Sequence, residues 1–189
     1  MYRVFEKELN YIDNKLLREF IKECLIKAPK YFYEIPASSS GKYHPKQDLG
    51  VGGLVRHTKA VVQVALDLIR CEQFWNSTES KDEIISACIL HDIIKNGFKD
   101  CGHTLIEHPL LANEFIEKVF RESSDKYKGI WCSKNYIQTL IGSHMGIWNK
   151  DKDGKEILPE IGSYNPCGLL VHLADYIASR KYIDISQLD

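Results

Sequence analysis

An imidazole and a carboxylate stand together at the end of an otherwise apolar segment, where His91 and Asp92 follow Ile84–Leu90. Burying such a polar pair is costly unless another group binds it. A divalent metal ion is the obvious partner, because neutral imidazole nitrogen and carboxylate oxygen are ligands of Zn, Fe, Mn and Ni. Two adjacent residues cannot fill a coordination sphere, so further ligands must come from elsewhere in the chain.

Two more candidate ligands lie in comparable positions of other predicted helices. His57 belongs to the block GGLVRHT, and Asp175 belongs to the block LVHLADYIASRK. Together with His91 and Asp92 they form a set of four, which would bind one metal and leave positions for water, as a catalytic site requires. The alternative is a hydrogen-bonded core or helix-capping set that holds no metal.

Helices must position these residues, and their ends are marked in the sequence. Ser80 and Glu83 have the spacing of a capping box. Pro109 and Pro166 are typical of first helical positions, where proline costs no hydrogen bond. Apolar periodicity and these signals predict helices over about 14–28, 53–71, from Ser80 to the His–Asp pair, 109–122, 134–144 and 166–182.

The segments between these helices indicate loops, not strands. Residues 31–51 contain several prolines, serines and glycines and predict a long ordered loop, and residues 149–155 predict a loop rich in Lys, Asp and Gly. The alternation of a strand appears nowhere. The sequence therefore predicts an all-α bundle of five to seven helices, with the ligands gathered at helix ends around one cleft.

Composition limits the function classes. The 189 residues are 44% hydrophobic, which suits one globular domain with a real core. The net charge of −1, from 25 basic and 26 acidic residues, gives no overall field for nucleic acid, so a polyanionic substrate needs a local patch or a metal. Six cysteines without a CxxC pair, and the lack of a leader or membrane span, predict a reduced, cytoplasmic protein without a membrane partner. The oligomeric state stays open.

Three blocks in order, GGLVRHT, ILHDIIK and LVHLADYIASRK, give the pattern H…HD…D, which resembles the HD-domain superfamily of metal-dependent phosphohydrolases over about residues 41–183. Within this superfamily the chain resembles the HD domain that accompanies an OB-fold in bacterial 3′–5′ exoribonucleases, which has the blocks GGLxxHT, LLHDIGK, SHHG and LHxAD. It departs from that group in two respects. There is no room for an OB-fold before residue 41, and the SHHG-like block reads Ser143-His144-Met145-Gly146.

The resemblance implies a single HD-like domain over 1–189, in which residues 1–40 are an N-terminal helix and loop packed on a metal-binding core at 41–183. It also implies His108 and His144 as extra ligands, with Asp92 bridging two metals about 3.5–4 Å apart. The implied cofactor is one or two divalent ions of Mn, Fe, Ni, Co, Zn or Mg. Met145 replaces a second His of dinuclear relatives, which predicts a weaker or different second site. Helix capping beside Pro109 and a solvated helix end remain alternatives for the two histidines.

The implied reaction is hydrolysis of a phosphomonoester or phosphodiester, in a nucleotide or short oligonucleotide, by metal-activated water. Asp92 would bridge or orient the nucleophile. Lys95, in the HDxxK position, would neutralise phosphoryl charge, although a solvated lysine at a helix end is the alternative. The candidate substrate contacts are Lys42, His44, Arg56 and Arg180.

Other residues leave alternatives open. Tyr43, Trp148 and Tyr176 could stack on a base, or could simply belong to the core. His172, three residues before Asp175, is expected to support a ligand or fill the core, and His103 is expected to be a surface residue.

Two other functions remain possible from the sequence. Some HD-fold proteins with six histidine and carboxylate ligands bind mixed-valent di-iron and are oxygenases. A non-catalytic regulatory module with a structural metal is the third hypothesis.

Overall fold

The computed structural model describes residues 1–182, apart from the side chains of Trp75, Asn76 and Thr78. Positions 183–189, which end the predicted domain, lie outside the described residues. The described part contains these α-helices: α1 Glu6–Leu9, α2 Lys15–Lys27, α3 Gly53–Ile69, α4 Lys81–Leu90, α5 His108–Glu122, α6 Ser124–Tyr127, α7 Trp131–Gly142 and α8 Pro166–Ala178. Between them, the only β pairing is an isolated bridge from Lys150 to Glu156. The predicted all-α fold is confirmed.

Helix α4 lies at the centre of the bundle, in contact with α3, α7 and α8. All seven residues of Ile84–Leu90 are buried, so this part of the helix has no solvent-exposed face. The His–Asp pair that follows it is therefore brought into the middle of the molecule. This position makes the pair a feature of the interior rather than of an exposed helix end.

Helix α2 covers one side of the bundle through an apolar stripe that includes Phe20 and Cys24. It begins after Asn14, whose side chain accepts hydrogen bonds from the backbone N–H groups of Leu16 and Leu17. It ends two residues before Pro29, which cannot continue a helix. The observed bounds agree with the predicted helix over 14–28.

One polar contact joins α2 to the α5–α6 corner. The carboxylate of Glu23 accepts hydrogen bonds from Ser123 and Tyr127 and pairs with Lys27 at 3.0 Å. Partial burial opposes ionisation of this carboxyl, but the hydrogen bonds from its neighbours outweigh burial and lower its pKa to about 2. Ionised Glu23 therefore contributes to the stability of the fold.

Several predicted details are wrong. The side chain of Ser80 makes no capping hydrogen bond to α4, and Glu83 instead accepts one from Ser133 at 2.7 Å. Helix α8 ends at Ala178, four residues before the predicted end. Two short helices, α1 and α6, were not predicted. Because α1 precedes it, the helix predicted over 14–28 is not the first helix of the chain. Four-residue helices are too short for an apolar period to be visible.

The predicted long loop over 31–51 contains two 3-10 turns, Lys30–Tyr33 and Lys46–Leu49. A hydrogen bond joins the two halves of the loop, since the N–H of Ala37 donates to the carbonyl of Asp48 at 2.8 Å. The loop then packs against the start of α3, where a Cβ built on Gly53 would lie 1.9 Å from the carbonyl oxygen of Asp48. This close approach fixes the beginning of the helix that carries His57.

Two further features of the described residues concern the cysteines and the lengths of the helices. All six cysteines are free thiols, and Cys24, Cys88 and Cys167 are buried. Within residues 1–182, none of the helices combines the length and the apolar character that crossing a bilayer requires.

Candidate metal centre

Six histidine and aspartate side chains from five parts of the chain meet at one end of the bundle. His57 lies one turn into α3, His91 and Asp92 follow α4, His108 begins α5, His144 follows α7, and Asp175 lies on α8. All except Asp175 are buried. The six residues form two groups of three, and within each group the ligand atoms lie within 4.8 Å of one another.

The first group, His57, His91 and Asp175, is centred on one carboxylate oxygen. Asp175 Oδ1 lies 3.0 Å from His57 Nε2 and 3.8 Å from His91 Nε2. Two neutral imidazoles and a carboxylate form a donor set that suits a first-row divalent metal. We call this group the α8 triad.

The second group, Asp92, His108 and His144, is equally compact, and we call it the α5 triad. Asp92 Oδ1 lies 2.9 Å from His108 Nε2, which in turn lies 3.0 Å from His144 Nε2. The other oxygen of Asp92 lies 3.3 Å from Nε2 of His91, a member of the α8 triad. One carboxylate therefore contacts both groups, as a bridging ligand would.

The hydrogen bonds of the histidines fit metal binding at Nε2. In His91, His108 and His144 the Nδ1 atom lies 2.6–2.8 Å from the backbone carbonyl three residues earlier. A carbonyl only accepts, so Nδ1 carries the proton and Nε2 presents a lone pair. Two such lone pairs facing each other at 3.0 Å in the α5 triad repel unless a cation lies between them.

Unpaired polar atoms point to the same conclusion in the α8 triad. His91 Nε2 and both ring nitrogens of His57 are buried and make no hydrogen bond of good geometry among the described residues, although carboxylate oxygens of Asp92 and Asp175 lie 3.3 and 3.0 Å from the two Nε2 atoms. Leaving buried polar atoms unpaired is unfavourable. A metal ion at the α8 triad would use the Nε2 lone pairs of His57 and His91, so the residues present fit the group that the pattern implies.

The electrostatics keep the carboxylate of Asp92 ionised and the imidazole of His144 neutral. Burial opposes the charge of Asp92, but Lys95 and His91 outweigh it and hold the pKa of this carboxyl well below its usual range. Burial, followed by the neighbouring His108 and His91, lowers the pKa of His144 to about 3. A neutral imidazole next to an ionised carboxylate is the protonation state that a metal site needs.

Lys95 is buried, with 8% of its surface exposed, so it is not the solvated lysine that the sequence left as an alternative. Its Nζ donates to Asp92 Oδ2 at 2.5 Å. It also lines the cavity that opens over the two triads. Its charge therefore lies beside the shared carboxylate and faces the space where a substrate would bind.

That cavity has a volume of about 380 Å³ and contains two of the four predicted substrate contacts, His44 and Arg180. The ring of His44 lies 4.9 Å from that of His57, and its Nδ1 is buried without a described partner. Burial, followed by the charges of His57 and Lys95, lowers its pKa to about 3. His44 thus faces the site as a neutral imidazole.

The other two predicted contacts, Lys42 and Arg56, are not among the residues that line the cavity. The guanidinium of Arg56 donates to the backbone carbonyls of Gln47 and Val51, so it braces the loop before α3. Lys42 is exposed, with Nζ 5.0 Å from the ring centroid of Tyr43. The structure gives neither side chain a place at the site.

Sequence reasoning missed several lining residues, among them Ser38, Thr104, Ile147 and Ser179. No ligand pattern marks such residues. His172, by contrast, occupies the supporting position expected from its spacing to Asp175: its Nδ1 lies 2.8 Å from the backbone carbonyl of His144. His103 is exposed, as predicted.

Comparison with known proteins agrees with this geometry. A family model described as HD domain matches residues 54–180, which contain all six residues of the two triads. The chain therefore belongs to the HD domain family, a superfamily of metal-dependent hydrolases. No curated protein and no solved structure matches it. The narrower resemblance to exoribonucleases stays a hypothesis.

Proposed function

We propose that this protein is a metal-dependent phosphohydrolase that cleaves a phosphomonoester or phosphodiester in a nucleotide or short oligonucleotide. The observation that carries the proposal is the sharing of Asp92 between two triads whose Nε2 atoms converge. His57, His91 and Asp175 would hold one divalent ion. Asp92, His108 and His144 would hold the other.

When bound, the two ions supply the Lewis acidity that lowers the pKa of water and polarises a phosphoryl oxygen. The residues of the chain supply position and charge. The ionised carboxylate of Asp92 is an acceptor that can orient the attacking water. Lys95, held 2.5 Å from that carboxylate and facing the cavity, places a positive charge where the phosphoryl oxygens become more negative.

His44 supplies a further contact for the substrate. It is a neutral ring that faces the cavity from the loop before α3, and a neutral imidazole can donate one hydrogen bond to a phosphoryl oxygen without adding charge. Because loop 31–51 is tied at Ala37 and Asp48, this ring is held in position before the substrate arrives.

A metal-supplemented activity screen tests the proposal. The protein, freed of metal and reloaded separately with Mn, Fe, Co, Ni, Zn or Mg, is incubated with nucleotides, cyclic dinucleotides and short RNA. We expect release of phosphate or nucleotide with at least one metal, and loss of that release after chelation and in Asp92→Asn.

Two outcomes would contradict the proposal. Absence of hydrolysis across the whole panel in protein that contains metal would favour a regulatory module. Bound di-iron with oxygen-dependent turnover would favour the oxygenase.

A further inference from the structure

We propose that the aromatic side chains around the mouth of the metal cavity form a subsite for a single nucleobase, and that the phosphate of the same nucleotide lies at the metal centre. The subsite consists of Trp148, Tyr176, Arg180 and Tyr43, which all line that cavity, and we call it the base clamp. The proposal rests on the proposed function and narrows its substrate to a nucleotide that presents one base to the enzyme.

Exposure is the first observation. Trp148 is 62% exposed, Tyr176 is 48% exposed and Tyr43 is 38% exposed, so core packing does not account for these rings. All three line the cavity whose floor includes Asp92 and His108. Large aromatic faces open to solvent beside a polar floor are suited to a ligand with a planar, apolar end and an anionic end.

The clamp is attached directly to the metal centre. Tyr176 follows Asp175 in α8, and Trp148 lies four residues after His144, in the turn that leaves α7. A base stacked on these rings would therefore share one cavity with Asp92, His108, His144 and Asp175. The turn is itself held by a hydrogen bond from the N–H of Gly146 to the hydroxyl of Tyr164, at 3.1 Å.

Arg180 gives the clamp a rigid, planar second surface. Its guanidinium lies 4.2 Å from the ring centroid of Tyr176 and 5.0 Å from that of Tyr43. Its Nε donates to the backbone carbonyl of Tyr176 and its Nη2 to the hydroxyl of Ser179, which fixes its plane. Both aromatic rings and guanidinium planes stack on bases. Arg180, a substrate contact predicted from the sequence, would thus act by stacking on the base.

The loop that carries Tyr43 is joined to the same wall. The N–H of Lys181 donates to the carbonyl of Tyr43 at 2.7 Å, so the loop before α3 and the end of α8 form one surface. Holding these parts in place before binding reduces the entropy cost of binding a base.

Charge and size limit the ligand to a nucleotide or the end of a short strand. Among the residues that line the cavity, Lys95 and Arg180 are the only Lys or Arg side chains. A groove that follows a longer strand needs a row of such cations along the backbone. The volume of about 380 Å³ lies in the range of small-molecule sites.

Direct binding to the metal-loaded protein tests the clamp. The probe is the 5′-phosphonate analogue of AMP, which resists hydrolysis, and the comparison is ribose 5-phosphonate, which lacks the base. We expect Trp148→Ala to weaken binding of the AMP analogue about 5- to 100-fold, the range expected for loss of one stacked ring. Trp131→Ala is the matched control, because Trp131 is 57% exposed at the opposite end of α7 from the metal centre.

Tryptophan fluorescence supplies a second measurement. The AMP analogue should quench part of the emission saturably in the wild-type protein and in Trp131→Phe, and this quenching should be absent in Trp148→Phe. Equal affinity for the two probes, or unchanged affinity for the AMP analogue in Trp148→Ala, would overturn the clamp.

These measurements separate failure of the clamp from failure of the proposed function, since they require no turnover. Saturable binding that depends on Trp148, without hydrolysis in any metal, would retain the clamp and reject the hydrolase. Hydrolysis of AMP and ribose 5-phosphate with equal kcat/KM would retain the hydrolase and reject the clamp.

Discussion

Substitution of Asp92 by Asn tests whether one carboxylate serves both triads. The amide keeps the shape of the side chain but removes the charge that lies 2.9 Å from His108 Nε2 and 3.3 Å from His91 Nε2. We expect the wild-type protein to bind two divalent ions per chain and Asp92→Asn to bind fewer than one. His108→Ala, which removes a ligand from the α5 triad alone, is the matched control and should bind one.

The same substitution has a predictable effect on stability. Lys95 is 8% exposed and pairs with Asp92, so the variant leaves a buried ammonium without its counter-ion. Removing one partner of a buried ion pair costs about 3–5 kcal/mol. For a chain of this length each kcal/mol changes Tm by roughly 2–4 °C, so the metal-free variant should melt roughly 6–20 °C below the wild type. Adding Lys95→Met should restore most of this loss.

Metal content is measured by elemental analysis after equilibrium dialysis, and Tm is measured by calorimetry of the metal-free proteins. If Asp92→Asn is too unstable, its double variant with Lys95→Met provides the metal measurement. Retention of one tightly bound ion in Asp92→Asn, equal to His108→Ala, would refute the sharing of Asp92. An unchanged Tm would refute the role of the ion pair.

Two further predictions concern the fold. Because the pKa of Glu23 is lowered, the stabilisation that its carboxylate gives the fold is present above about pH 4.5 and is lost as the pH falls towards 2. Glu23→Gln should therefore lower the free energy of unfolding by roughly 2–3 kcal/mol at pH 7 and by much less near pH 2. Urea unfolding at the two pH values measures this difference. Gly53→Ala should destabilise by about 1–3 kcal/mol, because its Cβ would lie 1.9 Å from Asp48 O. Gly142→Ala, which meets no atom within 4 Å, should be neutral or stabilising by up to about 1 kcal/mol; equal effects of the two glycine variants would contradict this.

The long helices could be predicted from the sequence because each buries a stripe or carries an end signal. Asn14 and Pro29 bracket α2, and Pro166 begins α8. The end of α8 could not be predicted, since residues 179–182 contain no proline or glycine and only tertiary contacts decide where the helix stops. The hydrogen bond from Lys181 to Tyr43 is such a contact.

The members of the candidate site followed from residue type, order and resemblance, but their arrangement did not. Which histidine shares a group with which carboxylate depends on the packing of α3, α7 and α8 around α4 and of α5 against α7. Arg56 is the clearest example of a side chain whose direction could not be predicted from its place in the sequence. It lies next to His57 in sequence, yet its side chain points to the loop carbonyls, because successive residues of a helix face different directions.

The sequence also could not show which aromatic residues are exposed. In sequence, Tyr43, Trp148 and Tyr176 are indistinguishable from core residues, since aromatic side chains are most often buried. Only their placement at the ends of α7 and α8 and in the loop before α3 makes them surface residues beside a cavity. Exposure is a property of the packed chain and cannot be predicted from residue type.

The Nδ1 hydrogen bonds of His91 and His144 would also connect a metal ion in each triad to the end of a helix. Their acceptors are carbonyls in the last turns of α4 and α7, where a helix runs out of backbone donors of its own. Without a metal these rings would rotate more freely, and the terminal turns would then lose the hydrogen bonds that cap them. Chelation should therefore speed amide deuterium exchange just before residues 91 and 144. The exchange rate at the C-terminal ends of α4 and α7 would then measure how much of the protein has metal bound.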